Sequence, residues 1–259
     1  MRHLHPGRVA LLTLALLLGT AGTARANEPN VRLAYAKLRK TCGTTACNQL
    51  VGAVEVKNLA YAKQVTLVFT TDGMQWNETA AGYTAAAGNG YESWSFTQDV
   101  PTGAEVRFAL RYTTAGQTFW DNNGGNDYRV GGATAPEFLL GSQTVKLDTA
   151  LLQPSRSGFF VTGFVVLKNL AYAKDVATVS STDNWATAQE YGAIYREAQP
   201  GSGGGLERWL ITIPVYTNGS TTVPTVRFAI RYTVDGVTYW DNNSGANYSI
   251  SYPDNNTLP

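Results

Sequence analysis

The chain contains two copies of one unit, and that duplication constrains its fold more than any other feature. VEVKNLAYAKQV at 54–65 recurs as VVLKNLAYAKDV at 165–176, and VRFALRYTTAGQTFWDNNGGNDY at 106–128 recurs as VRFAIRYTVDGVTYWDNNSGANY at 226–248. The motifs lie further apart in the second copy, and the Gly-rich stretch at 201–205 is the expected place of an insertion. All six tryptophans pair across the copies: Trp76 with Trp185, Trp94 with Trp209, Trp120 with Trp240. A unit of about 100 residues is a domain, whereas solenoid repeats run to about 20–50. Val31-Arg32-Leu33 and Gly52 match Val145-Lys146-Leu147 and Gly163, which places the first strands of each copy. The expected organisation is a first domain at 27–132, a linker at 133–141, a second domain at 142–253 and a tail at 254–259.

Ahead of the first copy, Arg2 and Arg8 precede an apolar run at 9–18 that ends in the small-residue stop Ala24-Arg25-Ala26. This reads as a secretory signal at 1–26, since the run is well short of the roughly 20 residues that span a bilayer. A secreted product, extracellular or periplasmic, is expected. Both histidines, His3 and His5, lie in that segment. What remains excludes a Ser-His-Asp triad and a His-ligated zinc, and no cofactor or metal is expected. Cleavage leaves 17 basic against 19 acidic side chains, with no basic footprint for nucleic acid. Low charge with abundant Gly, Thr, Asn, Tyr and Trp suits a neutral polar ligand. Cys42 and Cys47 occur only in the first copy, and an oxidising compartment makes a short local disulfide their default state.

Within each copy, apolar residues alternate over short runs separated by turn clusters, with no sustained helical period. Phe108, Leu110 and Tyr112 alternate with Ala109 and Arg111, then a turn at 114–116 leads into 117–121. The reading is all-β: two tandem immunoglobulin-like antiparallel β-sandwich domains.

Alternation also separates core aromatics from candidates for contact. In Phe119-Trp120 and Tyr239-Trp240 both neighbours cannot face inward on a regular strand. Phe119 and Tyr239 fit the apolar face, which leaves Trp120 and Trp240 to face solvent or to cover a sheet edge. Each is followed by Asp-Asn-Asn, and an exposed indole beside amides suits a pyranose: ring face on the indole, hydroxyls on Asn. Trp94 and Trp209 read as core. Trp76 and Trp185 sit in polar loops, either as contacts or packed beneath them; Tyr61 and Tyr172 share that ambiguity.

Together these motifs resemble carbohydrate-binding module family 21, which includes the starch-binding domain of fungal glucoamylases and the glycogen-binding domain of phosphatase-1 targeting subunits. The resemblance implies an eight-stranded sandwich that binds α-glucans without catalysis. It implies one site at Trp76, Trp120, Asn122 and Asp127 in the first copy, and at Trp185, Trp240, Asn242 and Asn247 in the second. Asp127 stands where the second copy has Asn247 and lacks the amide donor. A second site, of the glucoamylase type, corresponds to Tyr61, Lys63, Tyr83 and Tyr91, and to Tyr172 and Lys174. Leu206 replaces Tyr91 in the second copy, so that site is expected to be weaker there. Ala109 and Ala229 stand where the glucoamylase type has a further aromatic.

The expected function is bivalent, non-catalytic binding of starch, glycogen or maltooligosaccharides, with a separate amylase as a possible partner. A glycosidase needs paired carboxylates, and no second acid accompanies Asp121 or Asp241. Phosphatase docking fits poorly, because Val106-Arg107-Phe108 and Val226-Arg227-Phe228 lack the leading base and fall in an expected core strand. A scaffold or adhesin on the same fold is the other reading.

Overall fold

Period-two alternation along 106–112 places Val106, Phe108, Leu110 and Tyr112 on one face, and all four are fully buried. Burying each such side chain contributes about 1.5–3 kcal/mol, which fixes the strand register. The same holds for Val226, Phe228, Ile230 and Tyr232 in the second copy.

The computed structural model describes residues 28–42, 45–156, 158–217, 222–255 and 257–258; the signal expected at 1–26 lies outside them. The first half contains β1 (Val31–Cys42), β2 (Thr45–Lys57), β3 (Lys63–Thr70), β4 (Asn77–Ala80), β5 (Gly82–Gly88), β6 (Tyr91–Asp99), β7 (Glu105–Thr114), β8 (Gln117–Asp121), β9 (Tyr128–Gly131) and β10 (Phe138–Leu140). The second half contains β11 (Val145–Ser155), β12 (Gly158–Lys168), β13 (Lys174–Ser181), β14 (Gln189–Gly192), β15 (Ile194–Ala198), β16 (Leu206–Val215), β17 (Val226–Val234), β18 (Val237–Asp241), β19 (Tyr248–Ile250) and β20 (Thr257–Leu258).

These strands form four antiparallel sheets, two per half. Sheet order β10-β1-β2-β6-β5 faces β4-β3-β7-β8 with β9 on β7; β15-β16-β12-β11-β20 faces β14-β13-β17-β18 with β19 on β17. Each pair encloses its own apolar core, with Phe108, Leu67 and Val54 in the first and Phe228, Ile230 and Val165 in the second. The chain is therefore two tandem β-sandwich domains. Gly52 and Gly163 lie beside bulges in β1 and β11. A Cβ on Gly163 would sit 2.0 Å from the Thr149 carbonyl oxygen, so only glycine fits under that bulge.

The stretch between the copies carries β10, which pairs with β1 through Tyr35–Leu140 and Lys37–Phe138. Phe138 also packs on Val166 and Leu206 of the second domain, with Tyr35 and Leu140 beside it. Lys37 is buried there against Asp148, and burial pushes its ammonium below the usual lysine range against the pull of that carboxylate. Val166 and Leu206 occupy positions held in the first domain by Glu55 and Tyr91. An apolar patch on one outer sheet face thus receives the strand that follows the other domain.

Among the described residues no helix is long and apolar enough to cross a membrane, and no cysteine is free. The Cys42 side chain lies outside that description, so its bridge to Cys47 stands as an expectation.

Candidate functional site

In both domains the hairpin ends in a turn anchored by an aspartate. Asp121 Oδ2 accepts the Leu33 N–H at 2.7 Å and the Tyr128 hydroxyl at 2.8 Å, while Oδ1 accepts the Asn123 N–H. Asp241 accepts the Leu147 N–H at 2.7 Å and the Tyr248 hydroxyl at 2.6 Å. Lys146 Nζ adds an ion pair to Asp241 at 3.2 Å. Both tyrosine hydroxyls are pushed above their usual range, first by burial and then by the aspartate charge. The aspartates are consumed in holding the turn, and the residues that follow project from it.

Asn122 Oδ1 and Asn242 Oδ1 each accept the glycine N–H three residues on, at 3.0 Å. Each Asn side chain is exposed with its amide oxygen fixed. Asp127 and Asn247 both take left-handed backbone, at φ 55° and 57°, a conformation Asn and Asp tolerate. Arg107 pairs with Asp127 at 3.1 Å, so this acid is already engaged.

Trp120 and Trp240 are each 51% exposed, on the outer face of the sheet, while Phe119 and Tyr239 pack towards the core. The Trp120 ring lies 5.6 Å from the Arg111 guanidinium, and Arg111 pairs with Glu78 on β4. Arg231, opposite Trp240 in the strand register, pairs likewise with Glu190 and adds Asp175. Arg111 holds the Glu78 carboxyl below the usual range. These Arg–Glu props escaped sequence reasoning because β4 meets β7 only through β3; the shared FA(L/I)RY arginine was the available signal. Ala109 and Ala229, two residues before these arginines on the same strands, are buried.

Trp76 is exposed, directly ahead of β4 on the same sheet. Its loop is pinned by Asp72, which accepts N–H groups of Met74 and Gln75 and the Thr70 hydroxyl. Trp185 is half-buried, in left-handed backbone at φ 70° with its N–H on Ser181 Oγ. Asp183 pins this loop and is held down to about 2, first by the Thr187 N–H and then by the Thr187 and Ser181 hydroxyls. The two tryptophans differ in register: Trp76 follows Asp72 by four residues and adjoins β4, whereas Trp185 follows Asp183 by two.

At the second location, Tyr61 and Tyr172 project fully into solvent. Tyr83 stands exposed, edge-on to Trp94 at 5.9 Å. Tyr195 meets Trp209 identically at 5.8 Å, a counterpart the insertion hid from sequence comparison. Trp94 and Trp209 are partly buried and packed against the cores. Tyr91, expected as a contact, is 3% exposed. Arg32 lies 4.0 Å from its ring centroid and its hydroxyl bonds the Pro29 carbonyl, so it offers no face to a ligand. The Lys63 and Lys174 side chains are likewise buried, in ion pairs with Glu92 and Glu207.

The model of the carbohydrate/starch-binding module (family 21) matches residues 25–131 and again 139–251. The chain belongs to this family. A glucoamylase 1 of Rhizopus oryzae is 36% identical over 84 residues, 30% of this chain and 14% of that enzyme. Protein phosphatase 1 regulatory subunit 3C of Bos taurus is 36% identical over 88 residues, 31% of this chain and 28% of that subunit. The chain thus spans well under half the length of these relatives. Among solved structures, the starch-binding domain of Rhizopus oryzae glucoamylase, in complex with β-cyclodextrin and maltoheptaose, is 29% identical. It covers 40% of this chain and 95% of that one, with a TM-score of 0.34. The carbohydrate-binding module of the muscle glycogen-targeting subunit of protein phosphatase-1 is 25% identical, covering 42% and 76%, with a TM-score of 0.35. Both family-21 segments of this chain carry the exposed tryptophan and its Asp-anchored turn.

Proposed function

We propose that this chain is an exported, non-catalytic protein that binds α-glucans through two family-21 modules. Trp120 with Asn122 and Trp240 with Asn242 form the principal contacts, and Trp76 and Trp185 border them. One observation carries the reading: an indole half exposed beside an amide whose orientation is fixed by the turn, built twice in one chain. Such a pair stacks on a sugar face and bonds its hydroxyls with little loss of side-chain freedom on binding. Membership of the carbohydrate/starch-binding module family supports an α-glucan as the class of ligand.

Asp121 and Asp241 are committed to structural hydrogen bonds, which supports binding without hydrolysis. Val106 and Phe108 are fully buried, which argues against their serving as a phosphatase docking segment. Isothermal titration of the full chain with maltoheptaose, beside cellohexaose, tests the reading. It expects heat with maltoheptaose alone and two sites per chain; equal binding of cellohexaose, or none of either, overturns it.

A further inference from the structure

The two principal sites do not have the same surroundings. A cleft of about 480 Å³ opens beside Trp240, and its far wall belongs to the first domain. Trp240 and Asn242 form one side; Glu55 on β2, Ser93 on β6, and Ala86 and Ala87 on β5 form the other. The volume lies within the roughly 300–1,000 Å³ of small-molecule sites. Trp240 is nevertheless as exposed as Trp120, 51% in each case, so the neighbouring domain frames the indole without covering it.

Three features make this more than a seam left by packing. The floor is the joint between domains, where Ser142 and Gln143 N–H groups bond the Leu33 and Ala34 carbonyls of β1. Ser142 Oγ and Gln143 Oε1 are buried there without a hydrogen-bond partner, so the packing of the joint leaves polar atoms unsatisfied beneath this floor. The far wall is shaped by a bulge between Ala86 and Gly88, a device that re-aims side chains at sheet edges. There the chain presents two methyl groups where any larger residue would narrow the opening. Finally, the turn carrying Trp240 is tied to the first domain. Lys146, which pairs with Asp241, lies 4.8 Å from the Tyr35 ring. Its counterpart Arg32 instead pairs with Glu55, so Asp121 has no such tie.

We infer that this cleft is a composite site in which one α-glucan chain, seated on Trp240 and Asn242, continues along the Glu55, Ser93 and Ala86–Ala87 wall of the first domain. The inference rests on the α-glucan reading of Trp240. The wall's hydroxyl and methyl groups, beside a carboxylate already neutralised by Arg32, match a neutral polyol with apolar ring faces. A short oligosaccharide occupies the indole alone, whereas a longer one spans both domains.

The test uses the full chain carrying Trp120→Ala, which silences the other principal site, titrated with maltotriose and maltoheptaose. A composite cleft gives maltoheptaose an advantage of about tenfold or more over maltotriose. Ala87→Trp, and independently Ala86→Arg, narrow the far wall at exposed positions, and each brings the ratio close to one. A ratio near one before these substitutions, or one that they leave unchanged, overturns the composite cleft and leaves the α-glucan reading intact. If neither sugar binds the Trp120→Ala protein, the α-glucan reading of the Trp240 site itself fails, and the composite cleft with it.

Discussion

Trp120 and Trp240 face solvent because Phe119 and Tyr239 claim the inward positions on the same short strands, each tilted against a buried tyrosine with ring centroids 5.8 and 5.9 Å apart. Replacing either tryptophan with alanine removes a stacking face without opening the core. By analogy with base stacking on aromatic side chains, each substitution is expected to weaken binding by about 1–3 kcal/mol while leaving the melting temperature nearly unchanged. The pH response is also set at this scale. No histidine lies beyond residue 5, and Asp183, which orders the Trp185 loop, has its carboxyl held at about 2. An unperturbed aspartate titrates near 3.9. The loop's ordering is therefore fully present above that value and is lost as pH falls through about 2; Asp72 shifts in the same direction beneath the Trp76 loop. Titration calorimetry should find glucan affinity flat from pH 8 to about 5, declining only below about 4. A midpoint near pH 6–7 would contradict this account.

At the scale of elements, the Asp-anchored turn differs between the copies in one respect. Asp121 holds hydrogen bonds alone, whereas Asp241 also neutralises the buried Lys146. Asp241→Asn leaves that ammonium without its partner and should cost about 3–5 kcal/mol, against about 1–3 kcal/mol for Asp121→Asn. Denaturant unfolding of the two variants gives the comparison. Much of this layer was legible in the sequence: the duplication, the hairpin and the outward tryptophans all followed from alternation and the shared motif. Tyr91 was not legible, because its cover comes from Arg32 on β1 and Lys57 on β2, residues remote in sequence. Lys63 and Lys174, which the resemblance implied as contacts, are buried for a reason equally remote in sequence: their carboxylate partners lie on β6 and β16. Trp76 and Trp185 pair by order along the chain, yet they stand four and two residues after the aspartate that pins each loop and so occupy different places in it.

For the whole molecule, β10 changes what the join between domains means. The sequence reads 133–141 as a short tether, yet its last residues extend a sheet of the first domain and seat Phe138 on the second. Lys168 Nζ reaches the Gly141 carbonyl from the far side. Two sites held at fixed separation gain avidity only with polymers that match their spacing. Phe138→Ala should remove about 3–5 kcal/mol from this junction. Small-angle scattering is expected to show a larger, more variable radius of gyration, and preference among glucans should broaden. An unchanged scattering profile would mean that other contacts hold the domains.

The most direct test of the central claim is native gel electrophoresis of the full chain through glycogen, soluble starch or a β-glucan, beside Trp120→Ala, Trp240→Ala and the double variant. Two working α-glucan sites predict retardation by glycogen and starch alone, reduced in each single variant and abolished in the double. Unaltered migration of the parent protein in every gel, or retardation that survives in the double variant, would contradict the assignment of binding to these two tryptophans.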